Sequence, residues 1–212
     1  MHASKADTRR GGLMRRLGRR FIQDRSGATA VEFGFILLPF FALLFSIFEN
    51  AYLLMVDNGL QQAVTSASRQ VLLGNAQSGT PSSGAAFRDK YMCDPAIRIL
   101  PTYIDCTKLV VNMQALPPGQ NFSSMDPSVD FYSGSGVAPK YCTGGPGYIV
   151  MLNVMYPMPS YFPIFSGNWS TNGGVSSTGL TMYNGTLSHI TLGTAVFQNE
   201  PFANWSGAQA GC

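Results

Sequence analysis

Apolar side chains are distributed along this chain in three different ways. From Ala28 to Val56 they run almost without a break: Glu32 and Glu49 are the only charges in this stretch, and Phe33 to Phe48 carries none. As a helix it would be about 43 Å long, against a bilayer hydrocarbon core of about 30 Å. It is apolar on every side, which suits a membrane span, and so small a chain has little material to bury such a helix completely. From Leu60 the run becomes periodic. Leu60, Ala63, Val64, Ala67 and Val71 fall on one helical stripe, while Gln61, Gln62, Ser66 and Gln70 face away. The helix is expected to continue to Gly74-Asn75, with Asn58-Gly59 as its weak point and Pro39 as a bend inside the span.

Beyond a small-residue linker at 75–86, a short helical piece is expected over Ala85–Met92, and the third pattern is alternation. Lys108–Leu116 places Leu109, Val111, Met113 and Ala115 on one face. Gly147–Tyr156 is nearly all apolar and suits a central strand buried on both sides. His189–Gln198 places Ile190, Leu192, Thr194 and Val196 on one face. Strands without intervening helices favour an antiparallel sheet. The expected fold is α+β and pilin-like: a long N-terminal hydrophobic helix continues into an amphipathic helix packed on a small antiparallel sheet. The expected divisions are a basic leader 1–27, a span 28–56, an amphipathic helix 57–76 and a sheet domain 77–212. Long loops are expected at 117–146 and 157–186, and the apolar segment 156–165 (YPMPSYFPIF) is expected to be a loop folded over the sheet or a partner-binding patch.

Charge changes this picture only at one end. Apolar residues make up 45% of the chain and charged residues 12%, which excludes a disordered polyelectrolyte. The net charge of +3 hides an asymmetry: residues 1–27 hold eight bases and two acids, and the remainder is net negative. The base-rich part is one short tail before the span, so no nucleic-acid partner is implied. By the positive-inside rule that tail stays in the cytoplasm and everything after about Val56 is exported. An ordinary signal peptide would carry small residues after its apolar core; here Ser26 to Ala30 precede it.

Candidate chemistry is sparse. With His2 and His189 the only histidines, and no nucleophile elbow, zinc-protease helix, P-loop or dinucleotide fingerprint, neither an enzyme nor a cofactor is expected. Cys93, Cys106, Cys142 and Cys212 all lie on the exported side, without zinc-site spacing, and read as disulfides. Three connectivities are possible, and Cys93–Cys106 with Cys142–Cys212 is the favoured one.

The leader ends in a distinctive junction. RSGATAVEF (25–33) places Gly27 before a small residue and Glu32 at the fifth position counted from Ala28. It resembles a prepilin-peptidase site, with Gly27–Ala28 as the scissile bond. Cleavage there would create an ammonium on Ala28, one helical turn from Glu32 and on the same face. That would ease the cost, a few kcal/mol, of a carboxylate in a bilayer.

With GATAVEF (27–33), Leu38-Pro39, Glu49 near the end of the apolar run, and the Leu60, Ala63, Ala67, Arg69 helix ending near Gly74, the segment resembles the TadE-like family of tight-adherence (Tad, Flp-type) pilus systems. TAVFQNEPF (194–202) also resembles that family's closing strand. The resemblance implies a minor pilin or pseudopilin, held in the bacterial inner membrane by one span with a periplasmic C-terminal domain. It further implies processing by a prepilin peptidase, association with other pilins or pseudopilins through Glu32, Pro39 and Glu49, and a role in pilus assembly and surface attachment, with possible incorporation into the pilus. The alternative is an uncleaved single-pass protein whose periplasmic domain binds an envelope partner or surface.

Overall fold

The computed structural model describes residues 27–78, 81–96, 99–125, 138–161, 180–183, 185–203 and 205. Its elements are a helix α1 (Ala28–Leu72), a short helix α2 (Gly84–Tyr91), and strands β1 (Val110–Leu116), β2 (Ile149–Pro159), β3 (Leu180–Tyr183) and β4 (Thr186–Gln198). By internal contacts the chain divides into one unit up to Ile47 and a second from Phe48 onward.

Within the first unit, α1 is apolar on all sides. Phe35 and Leu38 are 77% and 75% exposed, and the helix passes through Pro39 without interruption. The most apolar window of α1 has a mean hydropathy of 2.3, and the helix is long and apolar enough to cross a membrane.

In the second unit, the expected stripe of α1 forms the centre of the core: Leu60, Ala63, Val64, Ala67 and Val71 are fully buried, with Phe87 of α2 and Val150, Leu152 and Val154 of β2. The Asn58-Gly59 weak point does not break the helix. Gly59 is buried, and a Cβ there would stand 2.9 Å from the Pro101 ring, so the missing side chain lets the 101–104 segment close on α1. Ser83 caps α2 by accepting from the Ala86 N–H, and the Cys93–Cys106 disulfide ties the end of α2 to the turn before β1.

The sheet is antiparallel, in the order β1-β2-β4-β3. As expected, β2 is central. It runs on through Pro159, so residues 156–159 are strand rather than loop, and 162–165 lie outside the described residues. The prolines fit this strand. Val110–Met155 is the last β1–β2 pair, and Pro157 and Pro159 lie beyond it, where their nitrogens face a side that β1 has already left. The expected loop 157–186 also contains β3, a strand that periodicity did not predict.

The structure settles which face of β4 is buried. The face of β4 that carries Ile190, Leu192, Thr194 and Val196 points away from the helix: Leu192 and Val196 are 49% and 56% exposed. Thr191 and Gly193 are buried, with Ala195 and Phe197 packed against the core. The reason is steric. A Cβ on Gly193 would lie 2.8 Å from Val64 and 3.2 Å from Leu60, so this point of the inner face admits only glycine, while Phe197 packs against the core further along it.

Candidate functional site

The N-terminal junction comes first. α1 begins at Ala28, so the peptide between Gly27 and Ala28 lies at the helix boundary. Gly27 is exposed, and among the described residues nothing lies within 4 Å of the position a Cβ would take there. Glu32 is exposed, and among the described residues it belongs to no ion pair. Pro39 is exposed about two turns further along. About 20 residues of helix cross a bilayer core, and counted from Ala28 that reaches Ile47. Glu49 follows directly.

Glu49 has partners within its own chain. One carboxylate oxygen accepts from the Ser160 hydroxyl at 2.7 Å and from the Tyr161 N–H at 3.1 Å. The residues that meet here come from the helix and from the end of β2. Around them lies a group of tyrosines. Tyr52 and Tyr103 have ring centroids 5.8 Å apart, the Tyr103 hydroxyl donates to the Met55 carbonyl at 3.2 Å, and the Tyr156 hydroxyl accepts from the Asp105 N–H at 3.5 Å. Burial pushes the Tyr156 hydroxyl above its ordinary pKa. His189 on β4 is close enough to feel Glu49: burial pulls its pKa down, and the carboxylate partly opposes that. Asp105 is held below the usual carboxylate range by hydrogen bonds from the Thr107 hydroxyl at 2.7 Å and the Thr107 N–H at 3.0 Å.

The other end of the stripe is closed from the C-terminal side. Gly74 turns the chain out of α1 with a positive φ of 81°, and Ala76 donates back to the Gln70 carbonyl. The Glu200 N–H donates to the Leu72 carbonyl at 3.1 Å, and Phe202 covers Gly74. β4 ends at Gln198, so Glu200-Pro201-Phe202 is a docking segment for the helix end and not part of a strand. Nothing in the alternation of 190–198 pointed to this contact; the Gly74 helix stop was the available signal.

Of the cysteines, Cys93 and Cys106 form the expected disulfide. Cys142 is buried and disulfide-bonded, and its expected partner Cys212 lies outside the described residues. Among the described residues no group of His, Cys, Asp and Glu side chains is arranged to hold a metal ion.

The arrangement can therefore present an apolar helix to lipid or to other helices, with an accessible peptide at its start and a pinned loop where it leaves the apolar run. The chain has no match among curated proteins or solved structures. Residues 27–69, from the Gly27 junction through Glu32 and Glu49 to the Arg69 turn of the buried stripe, match the family model of TadE-like proteins, and this stretch of the chain is TadE-like.

Proposed function

We propose that the chain is a minor pilin or pseudopilin of a Tad (Flp-type) pilus, held in the bacterial inner membrane before assembly and cut by a prepilin peptidase between Gly27 and Ala28. The observation that carries this reading is a coincidence of boundaries. The TadE-like match starts at Gly27, and α1 starts at the next residue. A peptidase working at the cytoplasmic face needs an unobstructed peptide followed by a helix held in the bilayer, and this junction offers both.

Cleavage removes the basic leader and leaves an ammonium on Ala28. Glu32 then gains a cationic partner, from its own terminus or from that of a neighbouring subunit, and the partner offsets the few kcal/mol that a lone carboxylate costs in lipid. The exposed faces of Phe33–Phe48 pack against the helices of other pilins or pseudopilins. Pro39 removes one hydrogen bond from the span and lets it adapt to those neighbours. The sheet domain remains periplasmic and contributes to assembly and surface attachment.

Mass spectrometry of the protein extracted from membranes tests the reading. An N-terminus at Ala28 is expected. An intact leader on functional material would replace this reading with an uncleaved single-pass protein that binds an envelope partner. Glu32→Ala is expected to be cleaved normally yet to leave cells without pili.

A further inference from the structure

Chain length and one side-chain contact together set the depth at which the end of β2 meets a membrane. With α1 read as a bilayer span, the hydrocarbon core takes about 20 residues of helix, Ala28 to Ile47. The headgroup layer beyond it is about 6 Å thick, which is about four residues of helix. Phe48 to about Tyr52 therefore lie in the headgroup layer on the exported side. Glu49 is among them, and its carboxylate accepts from the Ser160 hydroxyl at 2.7 Å and from the Tyr161 N–H at 3.1 Å. Ser160 and Tyr161 directly follow β2, and the whole contact lies inside the second unit. A glutamate side chain is short, so both residues are held at the level of Glu49. That depth follows from chain continuity, whatever the angle between the two units, because Glu49 is two residues past Ile47.

The side chains brought to this level have the chemistry of a membrane–water interface. Tyr161 is 64% exposed and Phe48 62% exposed. Tyr52 is half-buried on α1. Tyr103 docks beside it, with ring centroids 5.8 Å apart and its hydroxyl donating to the Met55 carbonyl at 3.2 Å. A tyrosine has an apolar ring and a polar tip. Water leaves the ring exposed and the acyl region leaves the hydroxyl unpaired, whereas the headgroup layer suits both. Charge points the same way. From Phe48 to Val56 and from Pro157 to Tyr161, Glu49 is the only charged residue, and its carboxylate is hydrogen-bonded. These segments hold no base that would select an acidic lipid, so the partner they fit is the headgroup layer of zwitterionic phospholipid.

Given the spanning role of α1 proposed above, on which this depends, we propose that Tyr161 and Tyr52, backed by Tyr103, form an aromatic anchor. It seats the near end of the sheet domain in the headgroup layer on the exported side, and Glu49 sets its depth. The domain then rests on the bilayer without a stalk. Extraction of α1 into a filament has to lift these rings out of the headgroups as well.

Spin labelling of the full-length protein in phosphatidylcholine vesicles tests this. A nitroxide is attached to single-cysteine variants, and its collisions with oxygen, which partitions into lipid, are compared with those of a water-soluble nickel chelate. The structure has no free cysteine to compete. Leu43→Cys reports on the span and Tyr161→Cys on the anchor. The control is Gln120→Cys, exposed in the turn after β1; β2 runs from Ile149, opposite Leu116 at that end, to Pro159, about 34 Å away. L43C is expected to be shielded from nickel. Y161C is expected to meet nickel several-fold less than Q120C and oxygen more, and high salt should not change this. Adding Glu49→Ala to Y161C is expected to raise its nickel collisions toward those of Q120C. Adding Glu49→Gln is not, because the amide oxygen accepts the same two bonds. Y161C as open to nickel as Q120C, with L43C shielded, would overturn the anchor and leave the span standing; L43C open to nickel would overturn both. Y161C shielded from both reagents would mean that protein covers the position in place of lipid, and would also overturn the anchor. Shielding that Glu49→Ala leaves unchanged would overturn the depth-setting role of Glu49.

Discussion

The ring of Phe202 occupies the space that a side chain on Gly74 would need: a Cβ built on Gly74 comes within 2.6 Å of the ring. The backbone there is left-handed at φ 81°, so glycine is required twice over, by conformation and by room. Gly74→Ala is expected to lose about 2–4 kcal/mol, from the left-handed backbone together with overpacking against Phe202. Chemical denaturation in detergent measures it. A loss below about 1 kcal/mol would mean that the 200–202 segment does not lock the helix end.

Gly193 and Val64 form a second pair of this kind, with a different expected response. Gly193→Ala places a methyl 2.8 Å from a Val64 methyl, and it is expected to destabilise by about 1–3 kcal/mol. Because the neighbour is a side chain and not backbone, Val64→Ala should make room. The double variant is expected to be more stable than the sum of the two single losses, and a double-mutant cycle reads the coupling. Strict additivity would argue against contact between α1 and β4 at this point.

Glu49 accepts two hydrogen bonds through one oxygen, and an amide can replace that oxygen. Glu49→Gln is expected to preserve most of the contact. Glu49→Ala leaves the Ser160 hydroxyl and the Tyr161 N–H without their acceptor and is expected to lose about 1–3 kcal/mol. Hydrogen exchange at the Tyr161 amide should accelerate in the alanine variant and change little in the glutamine variant. Equal protection in all three proteins would show that the bond is not formed in solution.

His189 gives the domain a pH dependence whose direction follows from its burial. Its folded pKa lies below the ordinary 6.5, with Glu49 opposing the shift. As the pH falls past 6.5 the unfolded chain takes up a proton that the folded chain refuses. Stability therefore declines from there down to the folded pKa and levels off below it. Urea midpoints measured between neutral pH and pH about 5 should show that slope. His189→Gln should remove this component of it; an unchanged profile in the variant would mean that other groups set the dependence.

Several elements were legible because one physical signal dominated each of them. The stripe Leu60–Val71 is apolar at helical spacing and nothing competes with it, so its burial could be read directly. The central position of β2 followed from an apolar run that only Asn153 interrupts. Alternation showed that Ile190, Leu192, Thr194 and Val196 share a face of β4 but not which face is buried; α1 comes so close at Gly193 that the inner face carries Thr191, Gly193, Ala195 and Phe197, and Leu192 and Val196 are left outside. β3 is only four residues long, in a stretch rich in Gly, Ser and Asn; its signal was the Asn184-Gly185 pair between Tyr183 and Thr186, a hairpin dipeptide. The partners of Glu49 were not legible, because Ser160 and Tyr161 lie more than a hundred residues away in sequence.

β4 lies between β2 and β3, yet it follows every other described element along the chain. Synthesis from the N-terminal end delivers the Leu60–Val71 stripe before β2 and β4, the strands that pack on it. During that interval the stripe and β2 are wet and sticky, and sheet pairing over such sequence distances is slow. The order of synthesis thus imposes a waiting period in which the helix stripe is bare.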